Sequence, residues 1–144
     1  MTTPTSAAWG SSEEPLTVVR KAGLHGLRWT AWLAGATGLA QLVSIGLNLT
    51  DTIRGIVPTT YPPVDVACSV VALVLLVSLL VGRPNGPAML SGLALLMAML
   101  MAPTLHKHAP ESLWLAAAHA VSVVAVVMLS VMTSRFSSAE LDRP

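Results

Sequence analysis

The chain is poor in charge. Only 10% of its residues are Asp, Glu, Lys or Arg, where a soluble domain carries roughly a quarter. The net charge of +1 gives no basic footprint, so nucleic acid is not an expected partner. Cysteine occurs once, as Cys68 inside an apolar stretch. That excludes an intramolecular disulfide and leaves the redox compartment open. There is no glycine-rich phosphate loop followed by lysine, so nucleotide chemistry has no support. No Ser-His-Asp or Cys-His spacing argues for nucleophilic catalysis. Runs of alternating polarity, the mark of a membrane barrel, are absent as well. An enzyme is therefore not the expected class, and no cofactor is expected.

Apolar residues are abundant: 53% of the chain, mostly Ala, Val and Leu gathered into four blocks. A spanning helix needs roughly 20 mainly apolar residues. Spans are expected at 29–49, 64–81, 87–105 and 112–132. The blocks containing Val70, Val71 and Val74, and Val121, Val123 and Val124, are rich in β-branched residues. Their length nevertheless exceeds that of a buried strand. The expected fold is all-α, an integral membrane four-helix bundle over 28–135.

The flanking segments differ in character. Residues 1–15 are rich in Thr, Ser, Pro and Glu and read as a disordered cytoplasmic tail. They lack the charged start and apolar stretch of a cleaved signal, so the first block is expected to act as an uncleaved anchor. Over 16–27, Leu16, Val19, Gly23 and Leu27 recur three to four residues apart, with Arg20 and Lys21 beside them. That pattern predicts a short separate helix lying on the inner surface. Residues 136–144 read as a cytoplasmic tail.

Orientation follows from the basic residues. With the N-terminus inside, Arg20, Lys21, Arg28, Arg83, Arg135 and Arg143 are internal, and only Arg54 and Lys107 are external. Six against two predicts both ends in the cytoplasm. Gly82-Arg83-Pro84-Asn85-Gly86-Pro87 reads as a tight inner turn, making the second and third helices antiparallel neighbours. Trp29 and Trp32 on the inner side, and Tyr61 and Trp114 on the outer, are expected interface anchors.

Helices in lipid associate through close packing and hydrogen bonds. Ala31/Gly35, Ala34/Gly38, Ala94/Ala98/Ala102 and Ala116/Ala120 place small residues one turn apart. Thr37, Gln41, Ser44 and Asn48, spaced four, three and four, form a polar face on the first helix. This face serves either as a ligand pathway or as interhelical hydrogen bonding. His119 is the ionisable residue well inside a span, and such groups are functional candidates by default. It is expected to stand alone among titratable groups at its depth. Asp65, Ser69 and Ser122 are its candidate partners, with Gln41, Ser44 and Cys68 at similar depth. A neutral histidine satisfied by one serine or amide is the alternative. His106, Lys107, His108 and Glu111 follow Met97, Met99 and Met101 at the outer end of the third helix. Imidazole with thioether suits Cu(I), and imidazole with carboxylate suits zinc. The candidate ligands are therefore His106, His108, Glu111, Met97 and Met101. Haem would require axial histidines within spans, for which His119 alone is thin support.

Two stretches, Ala34-Gly35-Ala36-Thr37-Gly38-Leu39-Ala40-Gln41-Leu42 and Gly92-Leu93-Ala94-Leu95-Leu96-Met97 with His106 beyond, resemble the DoxX-like family of small four-helix bacterial membrane proteins. The resemblance runs over roughly residues 28–135. It implies a multi-pass protein of the bacterial cytoplasmic membrane with a loose link to redox complexes, sometimes quinone-linked. Gln41 stands where that family usually has lysine, and the second helix has no interior glutamate, so any role of those charges does not carry over. The expected function is that of an accessory or scaffold subunit of a membrane assembly. Its partners are then the lipid bilayer and either another membrane protein or a second copy of the chain. The alternatives are a DoxX-like redox component and an outer-face metal-binding protein.

Overall fold

The computed structural model describes residues 17–53, 62–109 and 112–142, the side chains of 48–53 and 62–65 excepted. Among them the chain forms four α-helices and no strand: α1 (Val18–Ile53), α2 (Pro62–Gly82), α3 (Gly86–His108) and α4 (Leu113–Leu141). Each expected span matches one of these helices, the fourth beginning at the residue that caps α4. Stretches within α1, α3 and α4 are long and apolar enough to cross a membrane. The apolar stretch of α2 over its described side chains, Val66–Gly82, is shorter.

Local chemistry accounts for the boundaries. Ser112 caps α4, its Oγ accepting from the Trp114 N–H at 3.2 Å, which satisfies one of the donors a helix start leaves open. Pro87 sits in the first turn of α3, where a missing N–H costs nothing. Pro103 lies within α3. It removes one backbone bond there, yet the helix continues to His108. At the end of α2 the chain turns through Arg83, whose φ of +40° is left-handed.

Two boundary expectations are corrected. Residues 18–27 are not a separate surface helix but the first turns of α1. Leu24 and Leu27 are fully buried, and packing them against the bundle outweighs laying an amphipathic turn on a surface. Likewise the C-terminal tail is helical to Leu141, with Ser137 and Glu140 buried. At 1.5 Å per residue, α1 is about 54 Å long and α4 about 44 Å, against about 30 Å of hydrocarbon.

The helices run up and down in chain order. α1 packs on α2 and α4, and α3 packs on α4. The contact of α2 with α3 is the slightest of the four neighbouring pairs, despite the tight turn joining them. α1 barely meets α3, and among the described residues α2 and α4 do not meet. The interior combines small side chains, among them Ala31, Ala34 and Ala72, with larger ones such as Leu27, Leu75, Leu95 and Met99. Many large apolar side chains also face outward: Trp29 is 67% exposed, and Leu73, Leu90 and Met128 are also exposed. Helices apolar on every side are the kind found in membranes or deep cores. Trp32 and Trp114 are exposed as well; Tyr61 lies outside the described residues.

Glycines set how closely α1 approaches both neighbours. A methyl at Gly23 would run into the backbone of Gly82 on α2. One at Gly26 would lie 2.9 Å from the Ser78 Oγ, and one at Gly35 would lie 2.6 Å from the Ser130 Oγ on α4. Ala31, Ala34, Gly35, Gly38 and Ala102 are buried as their spacing suggests, whereas Ala94 is exposed and Ala98, Ala116 and Ala120 are half-buried.

Gly23→Ala should therefore destabilise the protein by about 1–3 kcal/mol through overpacking, even though alanine favours helix. Gly46→Ala, whose added methyl meets nothing within 4 Å, should be neutral or gain up to about 1 kcal/mol. Thermal unfolding in a mild detergent compares the two. A Gly23→Ala protein as stable as the parent would contradict the backbone contact.

Candidate functional site

The inward face of α3 descends through Ala88, Gly92, Leu95, Met99 and Ala102, all buried. One more turn brings His106 onto the same face. The inward face of α4 runs back from Ser130 through Val126 and Val123 to His119. Because α3 and α4 are antiparallel neighbours, the two histidines meet, with ring centroids 5.1 Å apart and planes inclined at 50°. His119 is 4% exposed and His106 half-buried. The expectation that His119 stands alone at its depth is thus corrected. Its neighbour comes from the group assigned to the outer end of the third helix.

The other two helices contribute at the same level. A methyl at Gly38 would lie 3.6 Å from the Val123 carbonyl oxygen, so α1 at Gly38 is level with α4 at Val123. One turn further along α1 is Gln41; one turn back along α4 is His119. Gln41 is buried, and its Nε2 donates to the Cys68 Sγ on α2 at 3.1 Å. One polar residue from each helix thus makes a layer across the bundle: Gln41, Cys68, His106 and His119. In low dielectric, paired polar groups hold helices in register, and an unpaired one is costly.

Other candidates fall elsewhere. Ser122 donates to the His119 backbone carbonyl at 2.7 Å, so it bonds the helix rather than the imidazole. Ser44 donates to the Ala40 carbonyl at 3.0 Å and Thr37 to the Ala34 carbonyl at 2.9 Å. Among the described side chains of the polar face on α1, Gln41 is thus the member whose bond crosses to another helix. Ser69 is exposed. Among the described residues α2 and α4 are diagonal and do not meet. The side chains of Asp65 and Asn48, and the whole of Glu111, lie outside the described residues.

The described methionines of the candidate metal set do not share a face with His106. Met97 is 59% exposed and Met101 is also exposed, while Met99 is the methionine turned inward, at 1%. His106 shares the inward face, so these thioethers and that imidazole point to different sides of α3. His108 is half-buried. Among the described residues no group of three His, Cys, Asp or Glu side chains is placed to hold a metal ion.

Sequence reasoning missed a second polar cluster, at the opposite end of the bundle. Glu140 near the end of α4 is 5% exposed. Arg20 Nη2 on α1 donates to Glu140 Oε1 at 2.6 Å and to Asn85 Oδ1 at 3.2 Å. The Asn85 N–H donates to Glu140 Oε2 at 2.9 Å. Three separate parts of the chain are thus tied at one point. The available signal was the three-to-four spacing of Ser130, Thr133, Ser137 and Glu140, which continues the inward face of α4 into the supposed tail. Compared with known proteins, the chain matches no family model, no curated protein and no solved structure.

Stacked or tilted aromatic rings contribute about 0.5–1.5 kcal/mol beyond their burial. A double-mutant cycle with His106→Ala and His119→Ala should return a coupling in that range by unfolding in detergent. Additive effects, within about 0.3 kcal/mol, would mean that the rings do not interact.

Proposed function

We propose that this chain is a multi-pass membrane protein with both ends in the cytoplasm, acting as a non-catalytic subunit of a larger membrane assembly. The observation that carries the proposal is the apolar exterior. The interior is already filled by leucine, valine, alanine and a few polar groups, and large apolar side chains, Leu, Val, Met and Trp among them, also cover the outside of the four helices. A contiguous apolar exterior on this scale belongs against lipid or another protein. The basic residues favour the proposed orientation: Arg20, Lys21, Arg28, Arg83 and Arg135 cluster at one end of the bundle, which the positive-inside rule assigns to the cytoplasm. A bacterial cytoplasmic membrane and the DoxX-like resemblance fit this reading and are proposed with it.

The histidine pair favours a second reading, a proton- or redox-linked component of such an assembly. Imidazole can exchange a proton near neutral pH, which an amide cannot. His119→Gln keeps hydrogen-bonding capacity and discards that exchange. A structural role predicts normal membrane accumulation and partner recovery in this variant. A chemical role predicts normal accumulation with loss of the assembly's activity.

Two measurements test the leading reading. A reporter active only outside the cytoplasm, fused after Pro144, should be silent; strong activity there would reverse the topology. Extraction in a gentle detergent should recover the chain in a stoichiometric complex with another membrane protein or with further copies. A chain that stays monomeric and unaccompanied at native expression would remove the subunit role.

A further inference from the structure

Beside the Arg20–Glu140 contact lies an open groove of about 600 Å³ between the start of α1 and the turn from α2 to α3. Val19 and Arg20 form one wall, and Leu80, Val81, Arg83 and Asn85 the other. The two arginines differ in state. Arg20 is held in place by Glu140 and Asn85, yet its Nε–H is buried with no acceptor among the described residues. Buried donors are rarely left so, and one that is calls for a missing partner.

Arg83 is the reverse case. Its side chain is exposed and takes part in no hydrogen bond or ion pair among the described residues. Its backbone, however, is left-handed at φ +40°, a conformation that glycine or asparagine adopts more easily. The fold would be served better by glycine here, so the arginine side chain answers to something outside the fold. Two arginines and the buried Glu140 leave the groove one positive charge in excess. Guanidinium groups present planar forks of donors that match phosphate oxygens. Exposed Val19, Leu80 and Val81 stand at the rim, where the apolar surface of α2 gives way to polar residues within one turn.

We propose that this groove binds the headgroup phosphate of an acidic phospholipid, with the acyl chains lying along Leu80 and Val81. The inference rests on the membrane reading above. An acidic phospholipid supplies both halves of what the groove offers, an anion for the guanidinium groups and a chain for the apolar rim. Inorganic phosphate supplies only the first. The chain's own Glu13 and Glu14, a few residues before Thr17, are the competing anion.

The test uses the full chain in mild detergent, titrated with phosphatidylglycerol or phosphatidylcholine of identical acyl chains and read by native mass spectrometry. The parent protein should retain phosphatidylglycerol about five- to ten-fold more tightly, the effect of one or two basic contacts near a lipid surface. Arg83→Gln and Arg83→Gly should both bring that preference close to unity, and the glycine variant should melt no lower than the parent. Arg135→Gln, outside the groove, should keep the preference. Equal retention of the two lipids, or an unchanged preference in both Arg83 variants, would overturn the proposal. Displacement of phosphatidylglycerol by millimolar inorganic phosphate would overturn the lipid assignment. So would a preference that emerges only in Glu13→Gln/Glu14→Gln, which would give the groove to the chain's own acidic segment. Separation of the chain into the soluble fraction on cell breakage would instead defeat the membrane reading, an outcome distinct from lipid indifference in a detergent-extracted protein.

Discussion

The close approach of α1 to its two neighbours is the constraint on which the bundle depends. In the membrane reading proposed above, lipid leaves no hydrophobic drive for helices to associate, so van der Waals packing and hydrogen bonds must hold them together. Both need short distances. Gly23 against Gly82 brings two backbones into contact, and Gly35 gives the Ser130 hydroxyl room. With α1 seated between α2 and α4, only α3 remains to be placed, and it closes the ring mainly through α4. Several Ser hydroxyls on the inward faces, Ser91, Ser130 and Ser137, donate to carbonyls of their own helix. They therefore fill space as small side chains without demanding partners across the interface.

Polar contacts between helices are concentrated at two levels. At one, Gln41 with Cys68 joins α1 to α2, and His106 with His119 joins α3 to α4. At the other, Arg20, Asn85 and Glu140 join α1, the α2–α3 turn and α4. The first level lies in the body of the bundle, where hydrogen bonds are strengthened by low dielectric. The second lies at its end, where a charged pair tolerates partial exposure. Together they fix the register of helices whose apolar outer faces carry little information about rotation. The second level also shapes the groove, because holding Asn85 to Glu140 fixes the turn that carries Arg83.

Much of the architecture was legible in the chain. Block length and the scarcity of charge led to four helices, and the Gly/Pro-rich stretch from Gly82 to Pro87 marked the turn between two of them. Small residues at Ala31, Ala34, Gly35 and Gly38 marked the packed side of α1, and the spacing of Gln41 marked its inward polar position. Helix ends were less legible. The amphipathic spacing at Leu16, Val19, Gly23 and Leu27 serves a surface helix and a packed helix end equally well, and only burial of Leu24 and Leu27 decides between them.

What the sequence by itself determined was therefore local: which segments are helical, which face of each is crowded with small or polar residues, and how apolar the exterior is. These follow from periodicity and composition, which act within one helix. Tertiary structure alone decided which faces meet. It set α2 diagonal to α4, and it set α3 beside α4, bringing the His106 ring against that of His119. It also drew Glu140 into the interior opposite Arg20, residues 120 positions apart in the chain. Spacing along a helix carries no information about the neighbour across the interface. That neighbour is chosen by the fit of glycine against backbone, hydroxyl or side chain, which exists only once the helices have packed.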